Sequence, residues 1–589
     1  MQTLRVHIST DLNRRLSARA MCVHANTVDY RLRRIGTLTG LNCTRATGVW
    51  RLRAALIARN SPPQSSMAQC SNHNALRAAI TLPSGVEAPS ARPMPTSSLP
   101  RGCKRNDRIM LKDNFFSPPV LARFGVCIRS IGRLSPLLYR YPDIWARERT
   151  TRMSSPSVSD AAPPTLTDHP AARATRPEND EFYCPPPDLA ARPPGAILRT
   201  RVTEIALFGV IAQRFPAWQL LYRTSDLHGT PEVAVTTVLL PADAEAIARP
   251  LVSFQCAIDG VGSNCFPSYA LRRGARALGA IPQLELPVIA EALARGWAVS
   301  IPDHGGMGGH FGVAREPGYR ALDAARAALA FEPLGLTPTT EVGLWGYSGG
   351  GLATAWAAEV AAHYAPDLNI VGAVAGSPVG DPGATFVRLN GSLLSGFSTV
   401  CVAALQRAYP ELEQLLAKHA KPEFHTLLAD AASRTTLALL SRFAGKNLDR
   451  YSESSFADLL NLPEMRAILD DIRPGLHAPS MPVLVIQGVN DELIAVQDVD
   501  RHVERYRRAG AHVRYVRDRL STHLALLYLG TPMTMAWLAD RFGGNPLPPS
   551  TTTTVWSLTW RGCDVAAHLR FAAVFVRMLC SRTISQRHK

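Results

Sequence analysis

The sequence predicts an α/β fold built on a mainly parallel sheet, and three observations predict it. From about residue 181 to 545, short apolar runs alternate with helical, alanine-rich patterns. Within that stretch Gly346-Tyr347-Ser348-Gly349-Gly350 stands between a buried-strand pattern (341–345) and a helical one (351–360). Charge also separates this stretch from the rest: residues 1–150 hold 24 Lys+Arg against 7 Asp+Glu, whereas residues 151–549 carry a net −5 and residues 550–589 a net +5. A formal net charge of +17 would by itself suggest a polyanionic partner. Its confinement to the ends leaves the middle mildly acidic, so the overall charge says nothing about a substrate bound there.

Residues 1–59 read as a small all-α unit. A helical stretch through 16–21 is followed by a short turn and a second helix, with Asn26 as N-cap and Val28, Leu32 and Ile35 at helical spacing. Thr27, Arg31 and Arg34 lie on the opposite face and suit contacts to phosphates and base edges. The run from Val23 to Asn42, followed by Val49-Trp50-Arg51-Leu52-Arg53, resembles the C-terminal helix-turn-helix of PucR-type regulators. That resemblance implies DNA contact through residues 1–59. The plainer alternative is a basic amphipathic helix pair with no DNA role.

Residues 60–180 are rich in Pro, Ser, Arg and Ala and lack sustained periodicity, so they read as a disordered linker. Strands are expected at 233–241, 251–255, 298–303, 341–345, 370–376, 482–488 and 513–516. Between the strand at 370–376 and that at 482–488, residues 381–478 have a helical pattern and are expected to cap the C-terminal ends of the strands. Residues 546–589 read as a basic tail without chemistry. The eleven cysteines have no zinc-type spacing, and no cofactor or metal is expected. Cys256 and Cys265 are either a disulfide pair or two separate thiols. No apolar run approaches the length of a membrane span, and no signal peptide is visible at the N-terminus.

The Gly-x-Ser-x-Gly run in a strand–turn–helix setting is the pattern of a nucleophile elbow. Glycines flanking Ser348 let strand and helix approach closely, and the helix N-terminus favours developing negative charge. A serine hydroxyl needs an imidazole to take its proton and a carboxylate to orient the imidazole, arriving in the order Ser, acid, His on loops after successive strands. Asp491, after the 482–488 strand, is the candidate acid, with Glu492 its local competitor; Asp498 and Asp500 read as charges at a helix N-terminus. His523 is the candidate base, whereas His502 and His512 read as surface and strand positions. The backbone N–H of Gly349 is one candidate oxyanion donor. The other is expected in the glycine-rich loop that begins at Asp303.

Taken together, these stretches, among them Val299–Phe311, Gly343–Asp381 and Gln487–Ile494, resemble the secretory lipase family over about 185–542. The resemblance implies an α/β-hydrolase fold with a helical lid over an acyl-binding tunnel. It further implies a triad of Ser348, Asp491 and His523, an oxyanion hole of Asp303 and Gly349, and lipid esters as substrates. Members of that family are often exported. Two other readings stand beside it: a DNA-binding regulator whose hydrolase-like domain senses a ligand, and another acyl-transfer enzyme on the same scaffold.

The charge boundary and the linker composition suggest that the hydrolase works without residues 1–152, with Met153 as an alternative start. Deleting residues 1–152 is therefore expected to leave melting temperature and ester turnover unchanged. An insoluble or inactive truncation would make the basic region integral to the enzyme.

Overall fold

The computed structural model describes residues 173–584, apart from 244–247, 454–455 and 560–564, together with positions 17, 18, 27, 28 and 32. The chain divides into two compact units, 1–149 and 150–589. In the first unit the five described positions are helical, and Val28 and Leu32 are buried. Asn26, Arg31, Arg34, Ile35 and the linker up to residue 172 lie outside the described residues.

The second unit is organised by a ten-stranded sheet in the order β1-β4-β5-β7-β6-β8-β9-β10-β11-β12. Its first part comprises β1 (Ile197–Val202), β4 (Ala217–Ser225) and β5 (Pro231–Leu239), paired antiparallel. A separate two-stranded hairpin joins β2 (Ala206–Leu207) to β3 (Ile211–Ala212). The remainder is parallel: β6 (Leu251–Gln255), β7 (Ala298–Pro302), β8 (Val342–Tyr347), β9 (Ile370–Gly376), β10 (Val483–Gly488), β11 (Val513–Asp518) and β12 (Thr552–Val555). β6 to β8 are buried along their whole length, which is why they read as apolar runs instead of alternating ones. Trp345 of β8 stacks on Phe254 of β6 at 4.7 Å between ring centroids, and neither ring reaches solvent.

Helices α1 (Pro282–Ala294), α2 (Glu316–Leu329) and α3 (Gly349–Tyr364) cross between the parallel strands. Between β9 and β10, the described residues of 382–471 form seven α-helices, beginning with α4 (Pro382–Leu389) and α5 (Ser395–Ala408). The helical pattern through 401–416 is broken at Tyr409-Pro410, because proline cannot continue the preceding helix's hydrogen bonds and instead opens the next one at its first position. The two ends of this insert are clasped. Arg473 meets Asp381 at 3.0 Å, and Arg505 donates to the carbonyls of both Gly380 and Pro474 at 2.8 Å. After β10, α6 (Val496–Arg508) leads to β11, and α7 (His523–Phe542) follows β11.

Two stretches differ from the sequence reading. Residues 173–180 already belong to this unit: Ala174 is buried and donates to Gly274, and Asp180 pairs with Arg201 at 2.7 Å. Residues 550–584 add the edge strand β12 and a helix, α8 (Val565–Leu579), packed on α1 and α7. Threonines at 551–554 supply β-propensity, and the buried Phe571, Val574 and Met578 recur at helical spacing. Cys256 and Cys265 are separate buried thiols.

The tightest packing lies where β8 turns into α3. A Cβ on Gly350 would stand 1.9 Å from the Gln255 carbonyl oxygen at the end of β6, and one on Gly346 would stand 2.2 Å from the Gly350 carbonyl oxygen. Gly350→Ala should therefore destabilise the hydrolase unit by about 3 kcal/mol, read as a lower midpoint in urea unfolding. A midpoint equal to that of the unsubstituted protein would contradict the close approach.

Candidate active site

Ser348 sits at the point of that turn with φ of +55°, a left-handed conformation that a side chain rarely adopts. Its N–H donates to the Gly376 carbonyl at 2.8 Å, fixing the turn against the end of β9. The hydroxyl projects toward His523, the first residue of α7, and Ser348 Oγ lies 2.9 Å from His523 Nε2. On the other side of the ring, His523 Nδ1 lies 2.7 Å from Asp491 Oδ2.

Asp491 is held from several directions. Its Oδ1 accepts from the N–H groups of Leu493 at 2.9 Å and Ile494 at 2.7 Å, and its Oδ2 accepts from Gln487 Nε2 at 3.1 Å and Ser377 Oγ at 3.2 Å. Burial works to raise its pKa, but the charge and hydrogen bond of His523 and these N–H donors hold it below the ordinary carboxylate value. For His523 the balance runs the other way. Burial disfavours the imidazolium, yet the Asp491 charge and hydrogen bond, together with the Glu492 and Asp259 carboxylates, outweigh it and hold the imidazole pKa above its ordinary 6.5.

Glu492 does not reach the ring: its carboxylate accepts from the backbone N–H of His523 at 3.0 Å. Asp498 lies in the first turn of α6, paired with Arg501, and Asp500 accepts from Tyr515 at 2.8 Å. His512 Nε2 donates to the Pro548 carbonyl at 2.7 Å. His502 is buried on α6, not on the surface, and burial pushes its pKa down to about 3.

The structure corrects the second oxyanion candidate. Asp303 follows β7, which β6 separates from β8, the strand that leads to Ser348. Its backbone N–H is used by the Val235 carbonyl at 2.8 Å, and its carboxylate is bonded to the N–H and hydroxyl of Ser268. Burial pushes that carboxyl up to about 7 against the lowering effect of Ser268. Asp259 stands by Ser348 instead, on the loop after β6. Its carboxyl is so close to Gly349 that a Cβ there would come within 2.3 Å of Oδ1. Its backbone has φ of +44°, and its N–H makes no hydrogen bond among the described residues.

The Asp259 loop is pinned by Glu285, which accepts from the Ala257 N–H at 2.9 Å, and by His304, whose Nε2 donates to the Cys256 carbonyl at 2.6 Å. Burial, offset in part by nearby His523, pushes the Asp259 carboxyl up to about 6. Gly349, the first residue of α3, has no intrahelical acceptor for its N–H. The sequence reading therefore missed Asp259, Ser377 and Gln487. Only Gln487 carried a local signal, a polar residue inside an otherwise apolar strand.

A cavity at Ser348 is lined by Phe311, Leu352 and Val379 from below and by Phe386, Phe397 and Cys401 from the insert. Phe386, Cys401 and Pro382 also line a second, almost wholly apolar cavity inside the insert, which runs past Leu405, Leu416 and Phe424. Ser348 itself is only 5 % exposed. No group of His, Cys, Asp or Glu suited to a metal occurs among the described residues, and none of the described helices is long and apolar enough to cross a membrane.

A mainly parallel sheet with this strand order and a helical insert above the turn at Ser348 define an α/β-hydrolase with a lid. Comparison with known proteins narrows the class. Residues 271–549 match the secretory lipase family, and residues 1–58 match the PucR C-terminal helix-turn-helix domain. A Mycobacterium tuberculosis protein named a probable inactive lipase is 48 % identical over 416 residues, covering 70 % of this chain and 93 % of that one. Lipase A of Arthroderma benhamiae is 35 % identical, covering 65 % and 83 %. The trichothecene C-3 esterase of Fusarium sporotrichioides is 31 % identical, covering 63 % and 84 %. Among solved structures, Candida antarctica lipase A in its closed state shares the fold at a TM-score of 0.61 and 24 % identity, covering 68 % of this chain and 95 % of that one.

The chain belongs to the secretory lipase family, a family of lipid ester hydrolases.

Proposed function

We propose that this chain is an active serine hydrolase that cleaves carboxylic esters of lipids, acylglycerols among them, through an acyl-enzyme. The observation that carries this reading is the position of His523, within 2.9 Å of the Ser348 hydroxyl and 2.7 Å of Asp491. A relative named as probably inactive weighs against it. Ser348, His523 and Asp491 nonetheless stand at hydrogen-bonding distance here, as turnover requires.

In this mechanism neutral His523 takes the Ser348 proton as Oγ attacks the ester carbonyl. Asp491 keeps the proton on Nδ1, so that Nε2 is free to accept, and stabilises the imidazolium that forms. The N–H groups of Gly349 and Asp259 receive the oxyanion of the tetrahedral intermediate. His523 then protonates the leaving alcohol, and water repeats the sequence to release the fatty acid. The apolar cavities on the insert side suit an acyl chain, and the burial of Ser348 means that the insert helices must part for substrate to enter. A second reading has its own observation, the match of residues 1–58 to a helix-turn-helix family. It assigns DNA contact to Thr27, Arg31 and Arg34, and a salt-dependent binding assay tests it.

Ser348→Ala should reduce kcat on chromogenic esters by roughly 10⁴-fold or more, with circular dichroism unchanged. More than a tenth of the original rate remaining would defeat the assignment. Asp491→Asn should cost about 10⁴-fold in kcat, whereas Glu492→Gln, which keeps an oxygen to accept from the His523 N–H and removes only a charge that is not hydrogen-bonded to the ring, should cost far less. Equal mild losses would mean that the wrong carboxylate has been chosen. The pH profile gives a further check. Only neutral His523 can accept the proton, so kcat/KM should fall as pH drops, with a midpoint above 6.5 because Asp491 favours the imidazolium. A midpoint below 6.5 would show that burial outweighs the carboxylate.

A further inference from the structure

The last helix, α8, carries two apolar faces, and the fold uses only one of them. Phe571, Val574 and Met578 are buried against α1 and α7. Opposite them, Val565, Leu569, Val576 and Leu579 are 66 %, 66 %, 56 % and 39 % exposed. With Ala572 they follow spacings of four, three, four and three residues, which sets them in one stripe along the helix. The β2–β3 hairpin, held beside the C-terminal end of α8, carries exposed apolar residues of its own. Its turn holds Phe208 and Val210 at 40 % and 80 % exposure. Hydrogen bonds from Gln213 to the Met578 carbonyl, from Arg214 to the Ser581 carbonyl and from Ser581 to the Ala212 carbonyl tie it to the end of α8.

The charge around the stripe identifies its partner. Residues 565–584 contain arginines at 570, 577 and 582 and no Asp or Glu. Arg577, Arg582 and Arg214 are exposed. A second copy of the chain, paired stripe to stripe about a two-fold axis, would set these arginines against their own counterparts, and residues 565–584 supply no carboxylate to offset them. An anionic lipid surface accepts both features at once, since apolar side chains enter the acyl boundary while guanidinium groups stay among the headgroup phosphates.

We propose that α8 and the β2–β3 turn form a docking surface for anionic lipid. This surface lies outside residues 271–549, the part matched to the family. It would hold a hydrolase of lipid esters at the interface where its substrates reside, through contacts separate from the insert over Ser348. Binding needs no turnover, so its outcome is independent of the catalytic assignment.

The test is co-sedimentation of the full chain with phosphatidylcholine vesicles containing about a third phosphatidylglycerol. Because residues 1–150 carry 24 Lys+Arg against 7 Asp+Glu and would bind such vesicles by charge alone, the assay is repeated at about 0.5 M salt, which screens exposed charges beyond a few ångströms. The charge-neutral double variant Leu569→Asn/Val576→Asn should bind about tenfold more weakly than the unsubstituted chain at high salt, with melting temperature and short-chain ester turnover retained. If that variant fails to fold, Val210→Asn, at an exposed turn, should still weaken binding measurably. Equal binding by variant and unsubstituted chain, or no binding by the unsubstituted chain at high salt, would overturn the proposal. A dimer in ultracentrifugation that the double variant dissociates would reassign the stripe to self-association.

Discussion

At the centre of the hydrolase unit, β8 and α3 meet β6 and β9 at distances no side chain can occupy. Cβ atoms at Gly346, Gly350 and Gly351 would fall 2.2, 1.9 and 2.6 Å from backbone carbonyl oxygens. This contact forces the turn between strand and helix to be abrupt, and Ser348 takes the strained backbone conformation at its tip. The strain is sustained by its surroundings, since the Ser348 N–H is tied to Gly376 and the turn is backed by Trp345 stacked on Phe254. A looser turn would relax Ser348 and draw its hydroxyl away from His523.

The same sheet aligns the other two members of the site. β10 and β11 pair in parallel with Gly488 opposite Asp518, so the chain leaves both strands at one level. The loops that follow are cross-linked by Val489 to the Asp518 carbonyl and by Asn490 to the Arg519 carbonyl, both at 2.7 Å. Asp491 and His523, 32 residues apart in sequence, are thereby brought within one hydrogen bond. Gln487 and Ser377 hold the carboxylate from neighbouring strands, and Tyr347 bonds both to Ser377 and to the His523 carbonyl. The imidazole is thus oriented by a network, and Asp491 is one part of it.

The insert above this edge is anchored both where it joins the sheet and along its body. Its seven helices leave and rejoin the sheet at adjacent points, where Asp381 meets Arg473 and Arg505 spans the carbonyls of Gly380 and Pro474. Glu359 of α3 caps the return by accepting from the Gly475 and His477 N–H groups, and burial pushes its carboxyl up to about 7. Further along, Arg315 pairs with Asp471 at 2.7 Å, Leu437 donates to the Gly279 carbonyl at 3.0 Å and Thr436 to the Asp259 carbonyl at 3.2 Å, so the insert is tied to the loops around Ser348 as well as at its clasp.

The sequence alone determined the elements whose signal is local. Strands such as 251–255 and 370–376 are largely apolar, the turn at Ser348 has glycines where a Cβ cannot fit, and Asp491 and His523 each follow a strand in the expected order. Family membership was legible for the same reason, through several short stretches matched in order. Strand order is not local. Nothing in Asp303 or Asp259 says which of their strands lies beside β8, so the glycine-rich loop drew attention to Asp303 while the sheet put Asp259 at Ser348 and used the Asp303 N–H to pair with β5. β12 and α8 were missed because a threonine run and a doubly apolar helix look like a tail until the sheet edge and the surface of α1 supply partners. Propensity and spacing act within a few residues along the chain. The placement of Asp259 beside Ser348, the support of Asp491 and the exposed stripe on α8 depend on which distant segments pack together, and only the tertiary structure decides that.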